Sequence, residues 1–334
     1  RTHLPGFAIT HENHRSVRAI CMALDGVPLA IELAVSLLEM YTLDELPGRL
    51  ATSLGYLTHG KRDDDPRHRT LETAISWSYD LLSRNEKRVL LKLSVFAAAF
   101  DLQAAEAVCG DGSRNNLSDT VHSLFDKSLI LLAEAAPTKR FGLLQATRQF
   151  AIKRRKDLPN LDEVMFRHAN HYYSLALRAE NELHGPNQVA WLNRIREDHP
   201  NILASLSYMR DHHRTLRALE MAVALTWFWY QRGHLSLARR WFTQLIDQCK
   251  DPPPDLLARA LHSLGWFTFL SGEWHGARTL YSSSLDISRR IGDRIAESYA
   301  LSDLGVVERW LGNVSQGDAL AETAVQVARA SGIQ

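Results

Sequence analysis

The run TLETAISWSYDLLSRNEKRVLLKLSVF, residues 70–96, encodes two helices and the break between them. Leu71, Ile75, Tyr79 and Leu82 recur at three- and four-residue spacing, so they share one helical face. Ser83-Arg84-Asn85-Glu86 then reads as a capping box, in which serine serves the N–H three residues on and glutamate reaches back. It opens a second helix through Val89, Leu90, Leu93 and Val95. Further on, Asp101 is placed to cap a short Ala-rich helix ending at Cys109-Gly110, and residues 117–127 form another. The period then changes. Residues 129–133 and 140–144 are short apolar runs around a polar turn containing a proline, the pattern of a β-hairpin.

Upstream of this unit, GVPLAIELA (residues 26–34) joins two helices at a stiff corner. Gly26 is suited to the positive φ that ends one helix, and Pro28 to the first turn of the next, where its missing N–H is no loss. Thr10 is expected to cap the preceding helix, through Val17, Ile20 and Cys21. The Pro28 helix should run to about Met40, and Thr42-Leu43-Asp44-Glu45 forms a second capping box that starts a short helix towards Leu50. Residues 55–68, with two glycines, a proline and a run of charges, read as an exposed connector.

From about residue 160 the chain is a helical array. Leu225-Thr226 with Gly233, Leu264-Gly265 with Gly272, and Leu304-Gly305 with Gly312 repeat at steps of 39 and 40 residues (225 to 264 to 304). Five residues past each glycine stands Ala238, Ala277 or Gly317, and four further on Phe242, Tyr281 or Ala321. A small residue at a helix crossing, with a bulky one a turn later, is what closely paired antiparallel helices require. Pro252-Pro253-Pro254 separates the first copy from the second. Residues 161–211 fit the repeat only loosely and are expected to cap it.

Helices followed by a single hairpin describe a winged helix. Residues 70–96, VHSLFDKSLI (121–130) and FGLLQATRQFA (141–151) strongly resemble, in order and spacing, the winged-helix segment of bacterial STAND regulators. These are nucleotide-switch ATPases related to the NB-ARC proteins and include large LuxR-type transcription regulators. Residues 26–34 resemble the GxP segment of the same superfamily. The array resembles tetratricopeptide repeats in a longer form than the usual period of about 34 residues. The resemblance implies a mostly α fold: a GxP helical subdomain (1–54), a linker (55–68), a winged helix with one β-hairpin (69–158) and a tetratricopeptide-like α-solenoid (159–334). It further implies that Pro28 packs on the adenine of ADP or ATP in the intact protein. One departure stands out. Where the family carries a leucine-glutamate-threonine sequence after the second wing strand, this chain has Gln145 and no histidine, so residues 143–148 are given no phosphate contact.

The chemistry is that of a regulator without a catalytic centre. No GxxxxGK[ST] phosphate loop occurs. Without one the chain is not expected to hydrolyse ATP or to bind nucleotide alone, and it reads as a fragment whose ATPase core is its first partner. The 334 residues carry a net charge of +1 with 23% charged and 45% hydrophobic residues. That balance gives no overall pull towards nucleic acid or membrane. Three cysteines far apart in sequence, and no apolar run of membrane length, fit a reducing cytoplasm. The histidine pairs 11/14, 168/171 and 212/213 lack converging cysteines or carboxylates, so they read as solvated residues and no metal is expected.

The candidate recognition helix at 117–127 carries two aspartates against one lysine. The basic run Lys153 to Lys156 suits a helix C-terminus. Direct DNA contact is therefore not expected, and in the family it usually belongs to a separate domain. Aromatic residues crowd the first helices of the repeats. In the repeat frame Trp227 and Trp266 are equivalent, as are Tyr230, Phe269 and Arg309. Together with Trp310 they are expected to line a groove for an effector or partner protein, with Arg259 and Arg309 as an anion anchor beside the rings. Two other readings remain open: a repeat scaffold without switching, and a DNA-binding winged helix.

Overall fold

The structure is a computed structural model that describes residues 7–24, 28–39, 41–50, 66–110, 117–133 and 139–332. The chain divides into two compact units, residues 1–168 and 169–334. The first contains helices α1 (His14–Ala23), α2 (Pro28–Ser36, extended by a single 3-10 turn over Leu37–Glu39), α3 (46–50), α4 (Pro66–Asp80), α5 (Arg84–Leu93), α6 (Leu102–Cys109), α7 (Leu117–Asp126) and α8 (Gln145–Arg154). Strands β1 (Leu131–Ala133) and β2 (Arg140–Gly142) pair antiparallel, with Leu132 opposite Phe141. This is the winged helix with its single hairpin. Residues 51–65, most of the expected connector, lie outside the described residues, as does the Gly26 turn. Pro66 is already the first residue of α4, so the connector ends earlier than expected.

Local signals in this unit act much as their chemistry demands. The capping box is complete: the Ser83 N–H donates to Glu86 Oε2 at 2.8 Å and the Glu86 N–H to Ser83 Oγ at 3.3 Å. The other Glu86 oxygen accepts from Lys127 Nζ at 2.5 Å and Ser123 Oγ at 2.7 Å, pinning α5 to the end of α7. Asp101 caps α6 through the Ala104 N–H at 2.7 Å. At the second box only half the expected pattern forms. Glu45 accepts from both the N–H and the hydroxyl of Thr42, so that hydroxyl donates where it was expected to accept. Thr10 caps the turn that leads into α1, which itself starts at His14: Thr10 Oγ1 accepts the Asn13 N–H at 3.4 Å and Asn13 Oδ1 accepts the Thr10 N–H at 2.8 Å.

The core of the winged helix centres on Phe96 stacked on Phe100 at 4.4 Å, with Leu90, Leu93, Val121, Leu124, Ile130 and Phe141 buried around them. Phe100 and Phe141 exchange both backbone hydrogen bonds, at 2.7 and 2.8 Å, which adds a one-residue bridge to the hairpin. Three arginines fasten the loop ahead of it: Arg155 donates to the Ser94 carbonyl, Arg148 to Ala97 and Arg140 to Ala99. Burial lowers the proton affinity of Arg148 and Arg155 from the usual arginine range.

Helix α9 (Leu161–Glu182) runs through the boundary of the two units. The second unit continues with α10 (Gln188–Asp211), α11 (Thr215–Ala224), α12 (Thr226–Gln231), α13 (Leu235–Gln248), α14 (Pro254–Leu270), α15 (Trp274–Ile291), α16 (Arg294–Trp310) and α17 (Val314–Ala330). The repeat marks hold their expected places. Leu225, Leu264 and Leu304 are buried, Phe242 and Tyr281 fill the crossings, and the turn glycines 233, 272 and 312 take positive φ. At the last crossing the backbones approach so closely that a Cβ on Gly305 would sit 2.9 Å from the Gly317 carbonyl oxygen. The first copy differs, because its first helix breaks at Leu225 between α11 and α12. Thr226 stands where the other copies have Gly265 and Gly305. Its hydroxyl bridges to Ser263 Oγ at 3.1 Å where they permit close backbone approach.

Candidate recognition groove on the helical repeats

The amphipathic first helices sort their aromatic residues by face. Phe228, Trp229 and Phe267 point into the core and are fully buried. Trp227 and Trp266 stack at 6.0 Å, and Tyr230 closes on both, 5.4 and 4.4 Å away. Phe269 meets Trp310 edge-on at 6.1 Å, and Trp310 also packs beside Trp274. The expected set is thus two aromatic groups on successive helices.

A groove of about 750 Å³ opens beside the first group, between the end of α9, the start of α12, α14 and α16. Of the expected residues it is lined by Trp227, Arg259 and Trp266, while Tyr230, Phe269, Arg309 and Trp310 lie outside its lining. Sequence reasoning missed Tyr299, which lines the groove from α16 and is 58% exposed. The signal was available, since Tyr299 precedes Leu304 by the same five residues that separate Arg259 from Leu264.

The electrostatics of the groove differ from expectation. Arg259 is paired with Glu180 of α9, and Arg309 with Asp318. Both anchors expected for an anion are therefore neutralised within the fold. Asp303 faces the groove with His262 Nε2 2.9 Å from its Oδ2. Burial above all, with the nearby negative charge of Asp303 second, raises the Tyr281 hydroxyl far above the usual phenol range. Asp293, also in the lining, spends Oδ1 on the first backbone N–H groups of α16.

The other candidate sites resolve as follows. Pro28 is the first residue of α2 and is exposed. The exposed residues of α7 include Asp119, His122 and Asp126, while Lys127 is held by Glu86. In the basic run, Lys153 pairs with Glu72, Arg154 lies over Tyr79 and Phe150, and Arg155 serves a loop carbonyl. Much of the apparent phosphate-binding charge is thus spent on the unit itself. His168 is not solvated as expected: it is buried edge-on against Phe96 at 5.1 Å. Among the described residues no group of three or more His, Cys, Asp or Glu is placed to hold a metal, and no helix is long and apolar enough to cross a membrane.

Comparison with known protein families agrees with the winged helix. A family profile for the winged helix-turn-helix domain matches residues 82–156. A Mycobacterium tuberculosis protein named "Putative HTH-type transcriptional regulator Rv0890c" is 29% identical over 311 residues, covering 90% of this chain and 35% of its own length. Another from the same species, named "Uncharacterized protein Rv0894", is 30% identical over 168 residues, covering 49% of this chain and 43% of its own. The chain thus spans about a third of the length of the first of these relatives. Among solved structures, a Signal Transduction ATPase with Numerous Domains (STAND) protein with a tetratricopeptide repeat sensor, from Pyrococcus horikoshii, covers 91% of this chain. The match takes in 54% of that protein, at 18% identity and a TM-score of 0.34. The chain carries a winged helix-turn-helix domain followed by a helical repeat array, and across 90% of its length it is 29% identical to mycobacterial proteins whose names begin "Putative HTH-type transcriptional regulator".

Proposed function

We propose that this chain is the regulatory and sensing part of a bacterial nucleotide-switch transcription regulator of the STAND type. The repeats recognise an effector, the winged helix couples them to the switch, and DNA is read elsewhere in the parent protein. The observation that carries the reading is the groove beside Trp227 and Trp266, on the same chain as a winged helix whose cations are largely engaged internally. Pro28, exposed at the head of α2, is the residue assigned to the adenine of ADP in the intact protein. Hydrolysis is assigned to a separate ATPase core, because this chain has no phosphate loop.

A second reading, in which the winged helix reads DNA, is favoured by its family match. Anisotropy of a labelled duplex titrated with this chain separates the two. A near-neutral candidate helix and one short basic run neutralise only a few phosphates, so no binding is expected at physiological salt. Salt-sensitive binding that disappears when Lys153, Arg154, Arg155 and Lys156 are neutralised would reassign the winged helix as the DNA reader.

A further inference from the structure

We propose that the groove beside Trp227 and Trp266 takes a small organic cation, an ammonium or guanidinium group carried on an apolar stem. The inference rests on the reading that the repeats carry recognition, and it names the class of ligand.

Charge decides the class. The groove lining contains Glu180, Asp293 and Asp303 against one arginine, Arg259, which Glu180 already neutralises. An anion would meet two carboxylates, Asp293 and Asp303, that the one arginine of the lining does not pair. Asp293 is committed to capping α16, which leaves Asp303 as the carboxylate available to a ligand. Its Oδ2 stands 2.9 Å from His262 Nε2 within the lining.

The walls suit the same ligand. Trp227, Trp266 and Tyr299 border the groove, and the negative face of an aromatic ring attracts a cation. Their apolar area also accepts an alkyl or aromatic stem. A volume of about 750 Å³ lies within the range of small-molecule pockets. The imidazoles of His184 and His262 complete the lining, and the His184 ring stands 5.0 Å from that of Trp227.

The test is calorimetric titration of the whole chain with three compounds of one shape. Tyramine carries an ammonium, 4-ethylphenol is neutral, and 3-(4-hydroxyphenyl)propionate carries a carboxylate. A lysine tripeptide, acetyl-Ala-Lys-Ala-amide, serves as a fourth probe. Tyramine is expected to bind about tenfold more tightly than 4-ethylphenol, with the carboxylate weakest. Asp303→Asn should remove that order while the melting curve stays cooperative. Tyr299→Ala, at an exposed position, should weaken tyramine about threefold or more without affecting folding. An order that is flat or reversed, or that survives in Asp303→Asn, overturns the assignment, as does binding by the tripeptide alone or by no probe. Carboxylate binding that Tyr299→Ala removes would overturn the choice of cation and leave the groove reading standing. The groove reading itself fails if Trp227→Ala and Tyr299→Ala leave the parent regulator's response unchanged.

Discussion

Trp229→Ala is expected to cost the repeat unit about 3–5 kcal/mol, whereas Trp310→Ala stays within about 0.5 kcal/mol. Both tryptophans lie on first helices of the repeats, and composition alone does not separate them. Trp229 is fully buried, edge-on to Phe242 at 6.1 Å, and its indole N–H donates to His199 Nε2 at 3.1 Å. Truncation leaves a cavity that the neighbouring helices fill only in part, and it deprives the half-buried His199 imidazole nitrogen of its donor. Trp310 is 57% exposed and rests on Phe269 and Trp274, so its loss removes little buried area. Urea unfolding followed by circular dichroism measures both. Equal losses would mean that the faces of the first helices have been assigned wrongly.

Acid should weaken the two units in sequence, the repeats first. Burial above all, with the nearby His234 second, pushes His199 from its ordinary value of 6.5 down to about 4. Its Nε2 must stay unprotonated to accept from Trp229. Below pH 6.5 the unfolded chain therefore binds the proton that the folded repeat unit resists. The stability concerned is fully present above about pH 6.5 and is lost as pH falls towards 4.

Glu86 acts lower on the scale. Burial alone would raise its pKa, but hydrogen bonds from Lys127, Ser123 and Ser83 outweigh that and hold it at about 2 against an ordinary 4.5. Its contribution is complete above pH 4.5 and disappears as pH falls towards 2. Each group contributes roughly 1–3 kcal/mol after allowance for partial solvation. Segment-resolved hydrogen exchange across a pH series should show α10 to α13 loosening between pH 6.5 and 4.5 while α5 to α7 stay protected. His199→Phe should flatten the upper range and Glu86→Gln the lower. Simultaneous loosening of both units would contradict this account of the buried groups.

How far the sequence disclosed this structure depends on the distance over which each determinant acts. The Ser83–Glu86 box, the Asp101 cap and the buried Leu264 and Leu304 were legible because each is settled within a turn or one repeat. Partners far apart in sequence were not. Arg259 meets Glu180 across 79 residues and Arg155 meets the Ser94 carbonyl across 61, so side chains that read as free cations are engaged inside the fold. The Phe100–Phe141 bridge involves one residue on each side, too short for any alternation to mark it. His168 and His199 are polar residues whose burial is set by aromatic neighbours rather than by their own pattern. The groove was half visible: the repeat frame indicated Trp227, Arg259 and Trp266, and the same frame extended by one copy indicates Tyr299.

The proposed nucleotide switch is tested most directly by size-exclusion analysis of this chain mixed with the ATPase core proposed for its parent protein, with and without ADP. A complex that forms only with ADP, and that Pro28→Ala loosens while the chain alone takes up no ADP, is the expected result. Association indifferent to nucleotide, or ADP binding by the chain alone, would contradict a switch that closes through Pro28.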